Sequence, residues 1–315
     1  MKKIKVISAL ALSILLSACN VNKGISGSKP KFAKMGSEVS YATFMEEFDK
    51  ADEASEIKKT DFQVGDRILT MKSFSSEIGS VTRGKQVLNK IDNRSSQDAK
   101  MSFDGDKHIG KMEMVAKTSE YSKDLVEEIK ASETNKTNAQ YQVGQYEGND
   151  YFMYADLDGK TYYPALQLTE TITADYFMNF MGAMSIYSAL SSIQSSVPSD
   201  EEEAKGWKFY QNGKVFTWVQ DIDTEEDMKD SGETVYAKVK IKGQVKGQID
   251  FTDGKMYARL SQEIKATGEY VAEYDGFKVG DKGVEEQKAY VDASAIAKKV
   301  DLKEVDLSAY KLTLA

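Results

Sequence analysis

The stretch Val235 to Phe251, VYAKVKIKGQVKGQIDF, alternates without a break. Every odd position is Val, Ala, Ile, Gly or Phe, and every even one is Tyr, Lys, Gln or Asp. A helix cannot use such a pattern; a strand with one wet face and one covered face requires it. At about 3.3 Å per residue the run would reach roughly 55 Å, far beyond an ordinary strand. Gly243 and Gly247 fall on its apolar face, where a strand can bend or bulge. The run is therefore read as one strand, or two nearly continuous ones, wrapping around something.

Tight-turn pairs recur along the chain: FDGDK at 103–107, LDGKT at 157–161, QNGKV at 211–215, TDGKM at 252–256 and YDGFK at 274–278, with YEGND at 146–150 a looser case. Asp-Gly and Asn-Gly favour turns whose twist matches that of the flanking strands. Strand-like runs such as YFMYADL and VFTWVQDI lie between them, giving an antiparallel meander of about ten strands. Ahead of it, Ser40 is an N-cap candidate, and Tyr41, Phe44, Met45, Phe48 and Ala51 form one stripe at helical spacing.

The segment from Thr173 to Glu203 breaks the meander. Thr173 and Asp175 suit a helix start, Pro198 and the acidic run SDEEE suit a stop, and no charged residue occurs from Tyr176 to Ser199. Apolar side chains between Tyr176 and Ile193, among them Phe177, Met178, Phe180, Met181, Met184 and Tyr187, cover most of the circumference of the first turns, so protein or a bound molecule must enclose this helix. It is either an ordinary buried helix with Met as gap-filler, or one face seats on the sheet while another lines an apolar cavity. Under the second reading those six residues are the candidate ligand-binding set.

The only cysteine, Cys19, ends the sequence MKKIKVISALALSILLSAC. Three lysines, an apolar run too short to span a bilayer and two small residues precede it, which is the layout of a secretory signal. Leu16-Ser17-Ala18-Cys19 resembles the bacterial lipobox, in which the signal is cut before a cysteine that then carries lipid. The resemblance implies a signal peptide over 1–18, a lipid-anchored Cys19 with a flexible tether over 19–37, and one folded domain over 38–315. Asn20 stands where inner-membrane lipoproteins commonly carry Asp. The resemblance thus favours the outer membrane in a Gram-negative cell and otherwise the outer face of the cell membrane.

Loss of residues 1–18 removes Lys2, Lys3 and Lys5 and moves the net charge from −8 to −11. A chain this acidic, without a basic cluster, does not suit a nucleic-acid backbone or broad attraction to anionic headgroups. His108, the one histidine, sits beside a turn without the neighbours a triad or zinc site needs. Ser26–Lys29 and Ser55–Lys58 have the Ser-x-x-Lys spacing of serine acyl enzymes but no Lys-Thr-Gly partner. Asp221, Asp223 and Glu225 could hold Ca²⁺, yet positions six and twelve of the run are Glu226 and Gly232, so a solvated loop is expected. No enzyme, cofactor or metal reading survives, and no protein partner can be named.

An N-terminal helix, a long bent antiparallel meander and an apolar helix inserted midway are similar in architecture to the LolA/LolB and LppX group of envelope proteins. The resemblance implies an α+β fold: a strongly curved half-barrel sheet with the N-terminal helix and the central helix on its concave face, carrying a lipid or acyl chain. The alternative is a surface lipoprotein that contacts protein or polysaccharide through exposed rings, with Tyr151, Tyr154, Tyr162, Tyr163 and Trp218 as candidates.

Overall fold

The computed structural model describes residues 25–55, 66–174, 176, 193, 196–252 and 254–313. Among these the chain forms strand β1 (Ser37–Val39), helix α1 (Tyr41–Glu53), a first meander of β2 (Arg67–Arg83), β3 (Gln86–Asp104), β4 (Ile109–Lys123), β5 (Glu128–Tyr146), β6 (Asn149–Asp156) and β7 (Thr161–Gln167), and a second of β8 (Trp207–Asn212), β9 (Val215–Lys229), β10 (Val235–Asp250), β11 (Lys255–Tyr270) and β12 (Lys282–Ala297). A short β13 (Lys311–Leu312) follows. All belong to one open sheet in the order β1-β8-β9-β10-β11-β12-β2-β3-β4-β5-β6-β7-β13. Only the β13–β7 pair is parallel.

The α+β expectation is corrected by this architecture. The described residues are nearly all β, with α1 the one α-helix among their named elements, and the sheet is an open layer of thirteen strands rather than a half-barrel with a central apolar helix. The strands are longer than the sequence pattern revealed. β3 and β5 each run for 19 residues, and their halves 86–95 and 128–137 show no apolar alternation, because only Leu88 and Ala131 are buried there. The run DIDTEED, read as a loop, is the second half of β9. Of the stretch read as the central helix, only Ala174, Tyr176 and Ile193 are described within 174–195, each with helical backbone.

Apolar side chains concentrate at one end of the strands and on one face, here termed the core face. Leu69, Met101, Phe103, Phe152, Phe216, Trp218, Ile249, Met256, Leu260 and Val291 join there in a single buried cluster. Helix α1 covers the β8–β10 side. Ser40 caps it by accepting from the Thr43 N–H, and Phe44 and Phe48 are buried. The Phe44 ring lies 5.0 Å from Phe209 and 5.6 Å from Phe216, and Phe48 lies 5.4 Å from Phe251. Edge-to-face and tilted pairs of this kind add to the area term that drives burial.

The opposite face is crossed by the two ends of the chain. Residues 25–36, part of the expected tether, run extended over β3, β2, β12, β11 and β10 before β1 joins the β8 edge. Gly27 sits on the Phe74 ring, where a Cβ would come within 2.1 Å of the side chain. Residues 298–310 cross in the other direction before β13 joins the β7 edge. Each strap is pinned by a buried glutamine whose amide substitutes for a neighbouring peptide. Gln248 accepts from the Ala33 N–H at 2.7 Å and donates to the Ala33 carbonyl at 3.1 Å. Gln142 does the same for Val305, at 2.7 and 2.9 Å. The straps thereby satisfy backbone groups that an irregular segment would otherwise leave unpaired.

At the far end of the strands the sheet is a single layer held by cross-strand pairs. Lys242 meets Asp223 at 3.0 Å, Lys265 meets Glu286 at 2.8 Å, and Lys240 meets Glu225 at 3.1 Å, each directly opposite in register. Such exposed pairs contribute little singly. The stronger tie is Arg83, whose guanidinium grips the Asp281 carboxylate through two hydrogen bonds of 2.8 and 2.7 Å.

Gln142→Ala and Gln248→Leu should each destabilise the fold by about 1–3 kcal/mol, and the losses should add because the two sites share no partner. Urea unfolding of both single variants and the double variant checks this. The Arg83 hydrogen bonds lower the Asp281 carboxyl to about 2. An unfolded-state value near 3.9 then means the pair's contribution is complete above about pH 4 and lost as pH falls toward 2. Wild type should therefore lose Tm more steeply than Arg83→Gln over that window, and the two curves should converge at its acid end; parallel curves would show that the pair contributes nothing.

Candidate functional site

The core face over β2–β6 forms an apolar platform built by register. Leu69, Met101, Met112 and Ala139 stand opposite one another across β2, β3, β4 and β5. One row away, Met71, Ala99 and Met114 align. On the other side Gly110, Tyr141, Tyr154 and Tyr163 complete a third row across β4 to β7. Met101 is buried, whereas Met71, Met112 and Tyr141 are partly buried and pack against the core cluster. The Tyr141 and Tyr154 rings are 5.2 Å apart, and Tyr154 stacks on Tyr163 at 4.9 Å. Burial pushes the Tyr141 phenol up to about 12, with smaller contributions from Tyr163 and Tyr154. Burial, then Asp156 and Tyr163, raises Tyr154. These hydroxyls stay protonated across the physiological range and present amphipathic rather than charged groups.

The connection between the meanders leaves from the β7 edge and returns at the β8 edge, at opposite sides of the sheet. Its ends are fixed on the core face. Leu166, Leu168, Ala174 and Val197 pack against the cluster, and Ile193 is fully buried. Tyr41 donates to the Pro198 carbonyl at 3.0 Å, and the Trp218 indole donates to Ser196 Oγ at 3.1 Å. Trp218 lies over Gly247, its register partner, where a Cβ would fall 2.1 Å from the ring. Glycine under an aromatic ring lets the ring lie flat on the strand.

The residues singled out for ligand binding, Phe177, Met178, Phe180, Met181, Met184 and Tyr187, lie outside the described residues, as does the lipid-attachment candidate Cys19. The sequence reading missed Met71, Met101, Met112 and Met114. The signal was present in the alternation of KMEMVAK, but the charges between the methionines obscured it. The rings proposed for an exposed patch do not form one. Trp218 is fully buried, and Tyr154 and Tyr163 belong to the core-face row. Asp221, Asp223 and Glu225 lie on β9 and face Gln244, Lys242 and Lys240. Among the described residues no group of three or more His, Cys, Asp or Glu side chains could hold a metal ion. His108 occupies the β3–β4 turn with φ 53°. No helix among them is long and apolar enough to cross a membrane.

No protein-family model matches the chain, and no curated protein matches it. Solved structures align with it only weakly, two of them as follows. The outer membrane protein OprG from Pseudomonas aeruginosa is 9% identical over 74% of this chain and 96% of that one, with a TM-score of 0.18. A FadL homologue from the same organism is 7% identical over 74% and 90% of the respective chains, with a TM-score of 0.15. Neither score reaches a level at which the fold is shared, and neither enters the argument below.

Gly247→Ala should lift the Trp218 ring and break its bond to Ser196, costing about 1–3 kcal/mol by overpacking. Chemical denaturation with tryptophan fluorescence as the signal reads both effects; an unchanged midpoint and emission maximum would show that the ring has room to spare.

Proposed function

We propose that this protein is a lipid-anchored lipoprotein of the bacterial cell envelope that binds an apolar ligand, a lipid or acyl chain, on the methionine and tyrosine platform of its core face. One observation carries the reading: a methionine-rich sheet surface lies on the face where the described ends of the uncharged 176–199 segment are pinned. Methionine adapts its shape at little cost, which suits chains of varied length and saturation. Tyrosine rings at one side offer an apolar body and a hydroxyl for a polar head. The lipobox-like N-terminus supports attachment through Cys19, on the outer membrane where the cell has one.

Native mass spectrometry of the mature chain carrying Cys19→Ser, before and after organic extraction, tests the proposal. Co-purifying lipid is expected, removable by extraction and reloadable with phospholipid. Met112→Lys places a charge on the platform and should reduce occupancy at least about tenfold, since desolvating an unpaired ammonium costs more than 1.4 kcal/mol. A clean apo mass that takes up neither fatty acid nor phospholipid would sink the reading.

A further inference from the structure

The antiparallel meander places alternate turns at the same end of the sheet, and the two ends differ in chemistry. At the core end the turns are polar, with Asp106, Lys107, Glu147, Asn212 and Lys214. At the single-layer end the β2–β3 and β9–β10 turns, Gly84–Lys85 and Asp230–Thr234, are polar as well, but the other two carry exposed apolar side chains. In the β4–β5 turn Leu125 is 65% exposed and Val126 95%, and in the β11–β12 loop Val279 is 66% exposed, with Val271 and Tyr274 beside it also exposed. This loop is rigid. Tyr274 stacks on Tyr236 at 4.0 Å, Tyr270 packs on Phe277 at 4.8 Å, and Arg83 and the Lys278 N–H both bind Asp281. Folding therefore holds these apolar side chains out in water, although the loop contains aromatic rings against which they could have collapsed.

The N-terminal strap leads toward that end. Ala33 is pinned by Gln248, which stands in one register row with Arg259, Asp292, Lys72 and Asp98. Ile25 receives a hydrogen bond from Arg94, four residues farther along β3 in the direction of the apolar turns. From Ile25 back to Cys19 is six residues, a reach of at most about 20 Å. The β4–β5 turn begins at Lys123, opposite Lys90 on β3, four residues beyond Arg94 or about 13 Å. Cys19 can thus stand level with Leu125 and Val126.

We infer that the single-layer end of the sheet faces the bilayer and that Leu125, Val126, Val271, Tyr274 and Val279 insert at the membrane surface beside the lipidated Cys19. The inference rests on the anchoring reading above. It fixes the platform's height over the membrane: the core end, with its polar turns, points away. Acidic residues flank the tips, among them Asp124, Glu127, Glu273 and Asp275, so the contact is apolar and needs no anionic headgroup. It supplements the acyl anchor, since stable attachment ordinarily takes more than one signal.

The test uses the full lipidated protein in phosphatidylcholine vesicles. Acylation blocks Cys19, so a thiol introduced by Val126→Cys, Val279→Cys or, at the opposite end, Lys255→Cys is the only one to take an environment-sensitive dye. Expected are a blue-shifted emission and quenching by bromine-labelled acyl chains at 126 and 279, neither at 255, and no change in high salt. An acylated protein whose dyes at 126 and 279 are no more quenched than at 255 overturns this orientation and leaves the anchor standing. A blue shift without bromine quenching assigns the tips to a protein contact and likewise overturns it. A mature chain whose mass shows no acyl addition at Cys19 defeats the anchoring reading, and the orientation falls with it.

Discussion

The pairing of β12 with β2 is the contact on which the rest of the structure depends. It runs without interruption from Lys282 opposite Thr82 to Ala297 opposite Arg67, joining the last long strand to the first. Without it the chain would hold two separate meanders, each with a long unpaired edge. With it the two become one sheet whose exposed edges are the short strands β1 and β13. The contact is also the most non-local in the fold, so its loop-closure entropy must be overcome before the strands on either side gain from it.

A sheet this wide has two faces to cover at its apolar end, and the chain covers them by different means. Helix α1 and the ends of the 168–206 connection take the core face with aromatic and aliphatic packing. The strap face is taken by the two termini, and there the currency is hydrogen bonding rather than area. Gln248 and Gln142 read a peptide group each, while Asp104, buried at the edge of the second strap, accepts from the N–H groups of Leu302 and Lys107. Burial pushes the Asp104 carboxyl up, but those two backbone hydrogen bonds and the Lys107 charge outweigh it and hold the carboxyl below its ordinary value. The termini are therefore structural members.

This division sets the geometry of the proposed function. The methionine platform sits on the core face at one end, the apolar turns at the other, and the N-terminal strap runs between them on the opposite face. A ligand held on the platform would stand off the membrane by the length of the single-layer region.

Some of this was legible in the residues themselves. The alternation of Val235–Phe251 marks β10, the Ser40 cap and the Tyr41–Ala51 stripe mark α1, and the Asp-Gly and Asn-Gly pairs mark turns, because each is dictated by neighbours in sequence. The strands' full lengths were not legible, since a region with so few buried side chains imposes no hydrophobic period on 86–95, 128–137 or 221–229. Nor was the platform, because Met71, Met101, Met112 and Tyr141 come from four strands and only register aligns them. Local chemistry thus determined which residues turn, cap and alternate. Tertiary structure alone decided that β12 returns to β2, that the termini cross the sheet as straps, and which end is apolar, because those outcomes depend on contacts between residues that lie far apart along the chain.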